Sequence, residues 1–207
     1  MPHIETEQRR FIFEVRAESD ETNGNFLSGR PIVYDSRTDL GYFDEIIQAG
    51  ALDKTDLKDV RFLVNHNTDM IPLARSRNNN QNSTMQMTVD KGGMAIRVNL
   101  DTENNAEARA LYSAVQRGDI DGMSFMFSIV GEEWAELDSD HPTRTITEIG
   151  KVYEVSAVTF PAYADTTISA RSKTALDNAR NALDSAKENT SDDVELAKLK
   201  AKYLYGI

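Results

Sequence analysis

Apolar residues alternate with polar residues along much of the first 171 residues, a period of two that is typical of β-strands with one buried face. The alternation at 85–89 and again at 94–100 flanks a Gly-rich turn, which predicts a β-hairpin. Further strands are predicted at 11–17, 25–34, 60–66, 123–130, 143–149 and 151–160. The pattern therefore predicts a mainly antiparallel sheet or barrel.

Helical periodicity in this part of the chain is confined to short segments. Residues 108–115 carry apolar side chains at positions i, i+3, i+4 and i+7, and Asn104 and Glu107 form a capping pair before them. Gly118 marks the C-terminal end of this predicted helix. A second, short helix is predicted at 43–50, where it ends at the final glycine of the segment.

Two polar segments are predicted as loops. The segment 75–83 is rich in Asn and is typical of a solvated connection. The segment 132–140 carries five carboxylates in nine residues and is expected to be an acidic loop.

The pattern changes near residue 172. A stripe of Leu and Ala with helical spacing covers 176–186, and a second stripe covers 196–203. Stripes this narrow need a partner, which can be the core, each other or another chain. The formal net charge of −11 changes at the same place, because 172–207 carry six basic and six acidic residues and are neutral. We therefore predict a core domain at 1–171 and a helical C-terminal tail at 172–207.

Composition narrows the function classes. A chain of 207 residues with 40% apolar residues predicts one folded domain with an appendage. The absence of Cys excludes disulfides, thiolate zinc sites, iron–sulfur clusters and a Cys nucleophile. The acidic balance argues against nucleic-acid binding, and no apolar run is long enough to span a membrane. The N-terminus does not resemble a signal peptide, so a soluble cytosolic protein is expected.

With no Cys, a neutral-pH general base is most readily one of three His residues. His3 lies in a terminal segment, and His141 follows the acidic segment in what reads as a surface turn. His66 differs from both, because it closes the apolar run of a predicted interior strand and precedes a polar loop. It is either a structural His at a strand end or a catalytic base.

Two further polar residues stand in otherwise apolar strands. Ser124 is either bonded to a neighbouring carbonyl or a nucleophile, and Glu154 either pairs with an Arg or Lys or orients a His. Together with His66 they are the residue types of a Ser–His–acid triad. Spacing in the sequence does not bring them together, because such triads occur in unrelated chain orders.

Four short segments, in order along the chain, carry a family resemblance. They are FDEIIQAGAL at 43–52, FLVNHNTD at 62–69, GMSFMF at 122–127 and YEVSAVTFPA at 153–162. With these segments the chain resembles the prohead serine proteases of tailed bacteriophages of the HK97 type. The likeness extends over about residues 25–170 and does not include the tail.

The resemblance implies a site and a fold. It implies that His66 is the general base, Ser124 the nucleophile and Glu154 the third member. The family is similar to the herpesvirus assemblins, whose third member is a second His, so His141 is a rival to Glu154. Met126 stands where the family commonly has Gly, which affects the expected loop geometry. The implied fold is α+β and mainly β, an assemblin-like β-barrel surrounded by a few helices.

The resemblance also implies a biological role. The expected activity is that of a serine endopeptidase that cleaves the scaffold, or the scaffolding segment of the major capsid protein, and then itself. It would act inside the immature prohead in the host cytoplasm, as a homo-oligomer, with a dimer suggested by the assemblins. No cofactor, metal, nucleic acid or membrane is expected.

Other functions remain open on the sequence. The tail would recruit the enzyme to the scaffold and then be trimmed. A non-enzymatic capsid-assembly scaffold or interaction protein is the alternative. A non-proteolytic esterase is disfavoured, because the serine lacks a Gly-x-Ser-x-Gly elbow.

Overall fold

A computed structural model describes residues 6–11, 15–21, 24–159 and 173–187, with side chains described from residue 15 onward. The strands are β1 (Thr6–Phe11), β2 (Val15–Asp20), β3 (Gly24–Val33), β4 (Arg37–Asp39), β5 (Asp44–Ile47), β6 (Asp59–Val64), β7 (Ala74–Arg77), β8 (Met85–Asp90), β9 (Gly93–Asn99), β10 (Gly122–Ala135) and β11 (Thr143–Val158). The helices are α1 (Ala106–Arg117) and α2 (173–187). The fold is therefore mainly β, as predicted.

The strands form two sheets. The larger sheet has the order β1-β10-β11-β5-β4, with β6 also paired to β11 and β7 paired to β6. The smaller sheet has the order β2-β3-β9-β8 and is antiparallel throughout. Among the described residues no ladder joins the edges of the two sheets, so the predicted closed β-barrel is not confirmed.

The core lies between these elements. Leu27 and Met94 of the smaller sheet, Phe62 and Phe125 of the larger sheet, and Leu111 of α1 belong to one buried apolar cluster. Burial of side chains of this size contributes roughly 1.5–3 kcal/mol each. The larger sheet therefore packs against a buried core, and this packing fixes the positions of the polar side chains on its strands.

Strand β11 is the centre of the larger sheet. It is antiparallel to β10 along its length, and it is parallel to β5 near its start and to β6 near its end. Residues 154–158 are all buried, so both faces of the strand are covered there. Polar side chains in this segment must therefore find partners within the protein.

The predicted helix at 43–50 is wrong, because this segment contains β5. Its buried side chains are Phe43, Glu45 and Ile47, which follow the period of a strand. Glu45 hides this period in the sequence, since it is charged and yet 1% exposed. Its carboxylate lies 3.4 Å from the guanidinium of Arg144, and this buried pair explains why a charge is tolerated there.

The two strands predicted at 143–149 and 151–160 are one continuous strand as far as Val158. Gly150 does not break it. A Cβ atom at this glycine would lie 2.7 Å from Val130 and 3.1 Å from Ser128, so the glycine lets β10 and β11 approach closely.

Both predicted loops are shorter than expected. β10 continues to Ala135, so the first four residues of the acidic segment 132–140 are strand. β7 includes the first three residues of the polar segment 75–83, where it pairs with β6.

The single strand predicted at 11–17 is wrong. β1 ends and β2 begins within this segment, the two strands belong to different sheets, and 12–14 lie outside the described residues.

Three sequence predictions are confirmed. The hairpin is β8 and β9, the interior strand is β6, and the helix is α1, which ends at Gly118 in the left-handed conformation. The N-cap is Asn105, whose side chain accepts hydrogen bonds from two backbone N–H groups, and not Asn104.

The predicted tail is described only in part. Helix α2 coincides with the first apolar stripe, and Leu176 packs against Leu40 and Phe43. Arg180 donates hydrogen bonds to two backbone carbonyls of the turn between β10 and β11. The second stripe, at 196–203, lies outside the described residues. No helix in the described ranges is long and apolar enough to cross a membrane.

Candidate active site

His66 lies in the turn that follows β6. Both Asn65 and His66 have positive φ angles, of 51° and 56°, in the left-handed region that is uncommon for residues with a side chain, although Asn and His adopt it more often than most. Asn65 fastens the turn to the end of β11: its N–H donates to Ala157 O at 2.9 Å, and its Oδ1 accepts from the backbone N–H of Thr159 at 3.0 Å. The turn therefore places the His66 ring beside β11.

The ring of His66 contacts Glu154 of β11. Nδ1 lies 2.5 Å from Oε1 of Glu154, whose side chain is 3% exposed, whereas that of His66 is 17% exposed. A carboxylate only accepts hydrogen bonds, so an ionised Glu154 fixes the proton of the neutral imidazole on Nδ1. Nε2 is then an acceptor, which is the tautomer that a general base requires.

The second oxygen of Glu154 is also bonded. Ser156 Oγ donates to Oε2 of Glu154. The same Oγ accepts a hydrogen bond from the backbone N–H of His66 at 3.1 Å. Both oxygens of this buried carboxylate therefore have a partner, which satisfies a group that is costly to bury alone.

Ser124 lies on β10, on the other side of β11 from His66. It stands directly opposite Ser156 in the antiparallel register, and Met126 stands opposite Glu154. Residues in register share one face of a sheet, with Cβ atoms about 4.5–5.5 Å apart. The structure thus brings His66 and Glu154 into contact and puts Ser124 one strand away on the same face. Ser124 is buried, with 0% exposure.

His141 lies at the other end of β11. Its Nε2 is 3.2 Å from Asp44 and 3.7 Å from Asp39. The strand runs 11 residues from Thr143 to Glu154, and at the usual rise this is a contour of about 36 Å. The structure therefore does not bring His141 to the His66 ring.

The pKa of Asp44, which contacts His141, is shifted by opposing effects. Burial alone would raise the pKa of Asp44, but hydrogen bonds from Arg37 and His141 outweigh it and lower the pKa of this carboxyl. Asp39, Asp44 and His141 each offer a ligand atom within 4.8 Å of the others, which is a spacing that could hold a cation. Exposed acidic groups are common without an ion, and nothing else at this cluster points to one.

A cavity of about 450 Å³ lies between α1 and the turn that carries His66. It is lined by Val64, Asn65, Asn67, Met70, Glu107, Ala110, Leu111, Ala114 and Ile120. The lining is mostly apolar, with Glu107 as its ionisable residue. Asn65 and Asn67 flank His66 in the chain, so the cavity adjoins the turn that carries the candidate base. Ile120 lies two residues before the start of β10.

Sequence reasoning missed Ser156 and Asn65. A signal for Ser156 is present in the sequence, because it follows Glu154 by two residues in an apolar strand and must therefore lie on the same face.

The alternative that Glu154 pairs with an Arg or Lys is not what the described contacts show. Arg61, its register partner on β6, lies 3.6 Å from Asp59.

Comparison with known proteins identifies the family. The model of the caudovirus prohead serine protease family matches residues 12–181. The structure of the bacteriophage T4 capsid assembly protease, gp21, is similar with 13% identity and a TM-score of 0.41, covering 75% of this chain and 99% of that chain. A structural likeness of this size is too weak to support an argument about function. No curated protein matches the chain. Because the family model spans most of its length, this chain belongs to the caudovirus prohead serine protease family.

Proposed function

We propose that this protein is the serine endopeptidase of prohead maturation, with Ser124 as nucleophile, His66 as general base and Glu154 as the carboxylate that orients His66. The observation that carries the proposal is the 2.5 Å contact between His66 Nδ1 and Glu154, on the face of the sheet that also holds Ser124. His141 is disfavoured as the third member, because it pairs with Asp44 at the far end of β11.

The proposed reaction is hydrolysis of a peptide bond through an acyl-enzyme. Ser124 Oγ attacks the scissile carbonyl carbon while Nε2 of His66 takes the hydroxyl proton. The imidazolium, stabilised by Glu154, then gives this proton to the leaving amine as the C–N bond breaks. A water molecule, deprotonated by His66, attacks the acyl carbon and releases Ser124. Backbone N–H groups are expected to stabilise the oxyanion.

The burial of Ser124 bears on when the enzyme acts. A peptide carbonyl reaches Oγ only after the groups over this face move, because Ser124 is 0% exposed. We therefore propose that the site opens transiently in the isolated protein, which permits slow labelling of Ser124, and that assembly of the prohead in the host cytoplasm favours the open state.

Family membership supports the choice of substrate. The proposed substrates are the scaffold, or the scaffolding segment of the major capsid protein, and the protease itself. The apolar cavity beside His66 is suited to receive an apolar side chain of the substrate near the scissile bond. We further expect a homo-oligomer, with a dimer suggested by the family's likeness to the assemblins, and a tail that binds the scaffold and is later trimmed.

The test is covalent labelling with a fluorophosphonate probe, followed by mass spectrometry of the labelled peptide. The expected result is modification of Ser124 in the native protein, and none in the heat-unfolded protein. Ser128→Ala, which removes another buried hydroxyl of the same strand, should still be labelled. Failure to label a folded, assembled protein would favour the non-enzymatic scaffold, which makes no demand on Ser124.

A further inference from the structure

Ser156 is buried in the middle of β11, with 0% exposure. A hydroxyl can donate one hydrogen bond and accept two. The hydroxyl of Ser156 donates its one hydrogen bond to Oε2 of Glu154 and accepts a hydrogen bond from the backbone N–H of His66 at 3.1 Å. We propose that Ser156 is a positioning residue that holds the Glu154 carboxylate and the His66 backbone together, an inference that rests on the proposed function of this site.

The first connection acts on the carboxylate. Glu154 can turn about its terminal bond, and only one of its oxygens contacts His66. Ser156 holds the other oxygen, so the carboxylate plane is fixed and Oε1 stays directed at Nδ1. A hydrogen bond to an ionised group is also stronger than one between neutral groups.

The second connection acts on the backbone of the base. His66 has a φ angle of 56°, which an L-residue adopts only where its surroundings hold it. The bond from its N–H to Ser156 Oγ is one of the contacts that hold this turn against β11. One hydroxyl therefore holds both the carboxylate of Glu154 and the backbone of His66 in place.

Burial alone does not explain these bonds. Ser76 of β7 is also buried at 0% exposure, and its hydroxyl has no hydrogen-bond partner among the described residues. This fold therefore accommodates a buried serine without such bonds. Ser156 is also not arranged as a nucleophile, because its proton is directed at Glu154 and not at the imidazole.

The experiment compares wild type with S156A, with S156C as a second variant and S76A as the matched control. Two quantities are measured: the rate of fluorophosphonate labelling of Ser124, and the NMR signal of the Nδ1 proton of His66. For S156A we expect labelling about 10–100-fold slower, the loss seen when outer-shell partners of metal-bound histidines are removed. The Nδ1 proton signal should broaden or disappear. S76A should resemble wild type in both.

The S156C variant keeps a group at this position that donates and accepts only weakly, so it should lie between wild type and S156A even if S156A folds poorly. Labelling at the wild-type rate together with an unchanged His66 signal, in either variant, would overturn the proposal. Labelling on Ser156 instead of Ser124 would overturn it as well. If wild type is not labelled at all, the proposed protease function fails, while the NMR comparison still decides whether Ser156 holds the His66–Glu154 pair.

Discussion

The substitution Glu154→Gln tests the orienting role most sharply, because it keeps the size of the side chain and changes only its hydrogen bonding. In the structure both oxygens of Glu154 accept: Oε1 faces Nδ1 of His66 and Oε2 faces the hydroxyl of Ser156. An amide has only one acceptor oxygen and must turn its NH₂ group toward one of these two partners. Each orientation therefore breaks a hydrogen bond that the carboxylate makes.

The two orientations have different consequences. If the NH₂ group faces His66, Nδ1 must accept and the imidazole proton moves to Nε2, so the ring no longer takes the proton of Ser124. If it faces Ser156, the hydroxyl loses its acceptor, and no negative charge stabilises the imidazolium. Where the analogous change in a Ser–His–Asp triad produces the wrong tautomer, the loss in kcat is about 10⁴-fold. We expect a loss of about 10³–10⁴-fold here, which corresponds to roughly 4–5.5 kcal/mol in the activation free energy.

The assay is the labelling rate of Ser124 per folded molecule, with the fold checked by circular dichroism. Glu45→Gln is the matched control, since Glu45 is buried at 1% exposure and pairs with Arg144 at the other end of the sheet. The control should lower stability and leave labelling of the folded fraction unchanged. Labelling of folded Glu154→Gln within about threefold of wild type would show that Glu154 does not orient His66, since the predicted loss is at least about 10³-fold.

Three further predictions concern His141, the cavity and Asp90. His141→Ala should leave the labelling rate of Ser124 unchanged, because His141 lies at the far end of β11; a loss comparable to that of Glu154→Gln would restore it as the third member. Ala110→Phe fills the cavity beside His66 and should lower cleavage at sites with large apolar residues by about 10–100-fold in a peptide-library profile, whereas Gln116→Phe, on the same helix outside the lining, should not. Asp90 has a pKa lowered to about 2 by Arg30, so the stability that it contributes is present above its unfolded pKa and lost as pH falls toward about 2. The difference in unfolding free energy between wild type and Asp90→Asn should therefore be seen at pH 7 and disappear near pH 2 in chemical denaturation, and a difference that is independent of pH would contradict this ion pair.

The residues of the candidate site could be predicted from the sequence because each is a polar group in an apolar surrounding. A carboxylate or hydroxyl in a buried strand needs a partner, and this rule selected Glu154 and Ser124. Their arrangement could not be predicted. It depends on β11 lying between β10 and β6. His66, which follows β6, and Ser156 of β11 are 90 residues apart in the chain and are in contact only in the folded protein.

The errors in the fold have a similar origin. The sequence predicts a helix at 43–50 because the segment is short and ends at a glycine. The burial of Glu45 in a strand depends on its pairing with Arg144 across the sheet, which the local sequence does not show. The sequence divides β11 at Gly150, because a glycine is typical of a break in a strand. In the structure a glycine is required at this position because Val130 on β10 approaches it closely, which is a property of the packed sheet and not of the local sequence.

We propose that Ser124 is the nucleophile of a protease that processes capsid components. The most direct measurement is co-expression of this protein with its major capsid protein and scaffold, with the products followed by mass spectrometry. We expect cleavage by wild type and by Ser128→Ala, and no cleavage by Ser124→Ala, although all three proteins fold. Normal processing by Ser124→Ala would show that Ser124 is not the nucleophile.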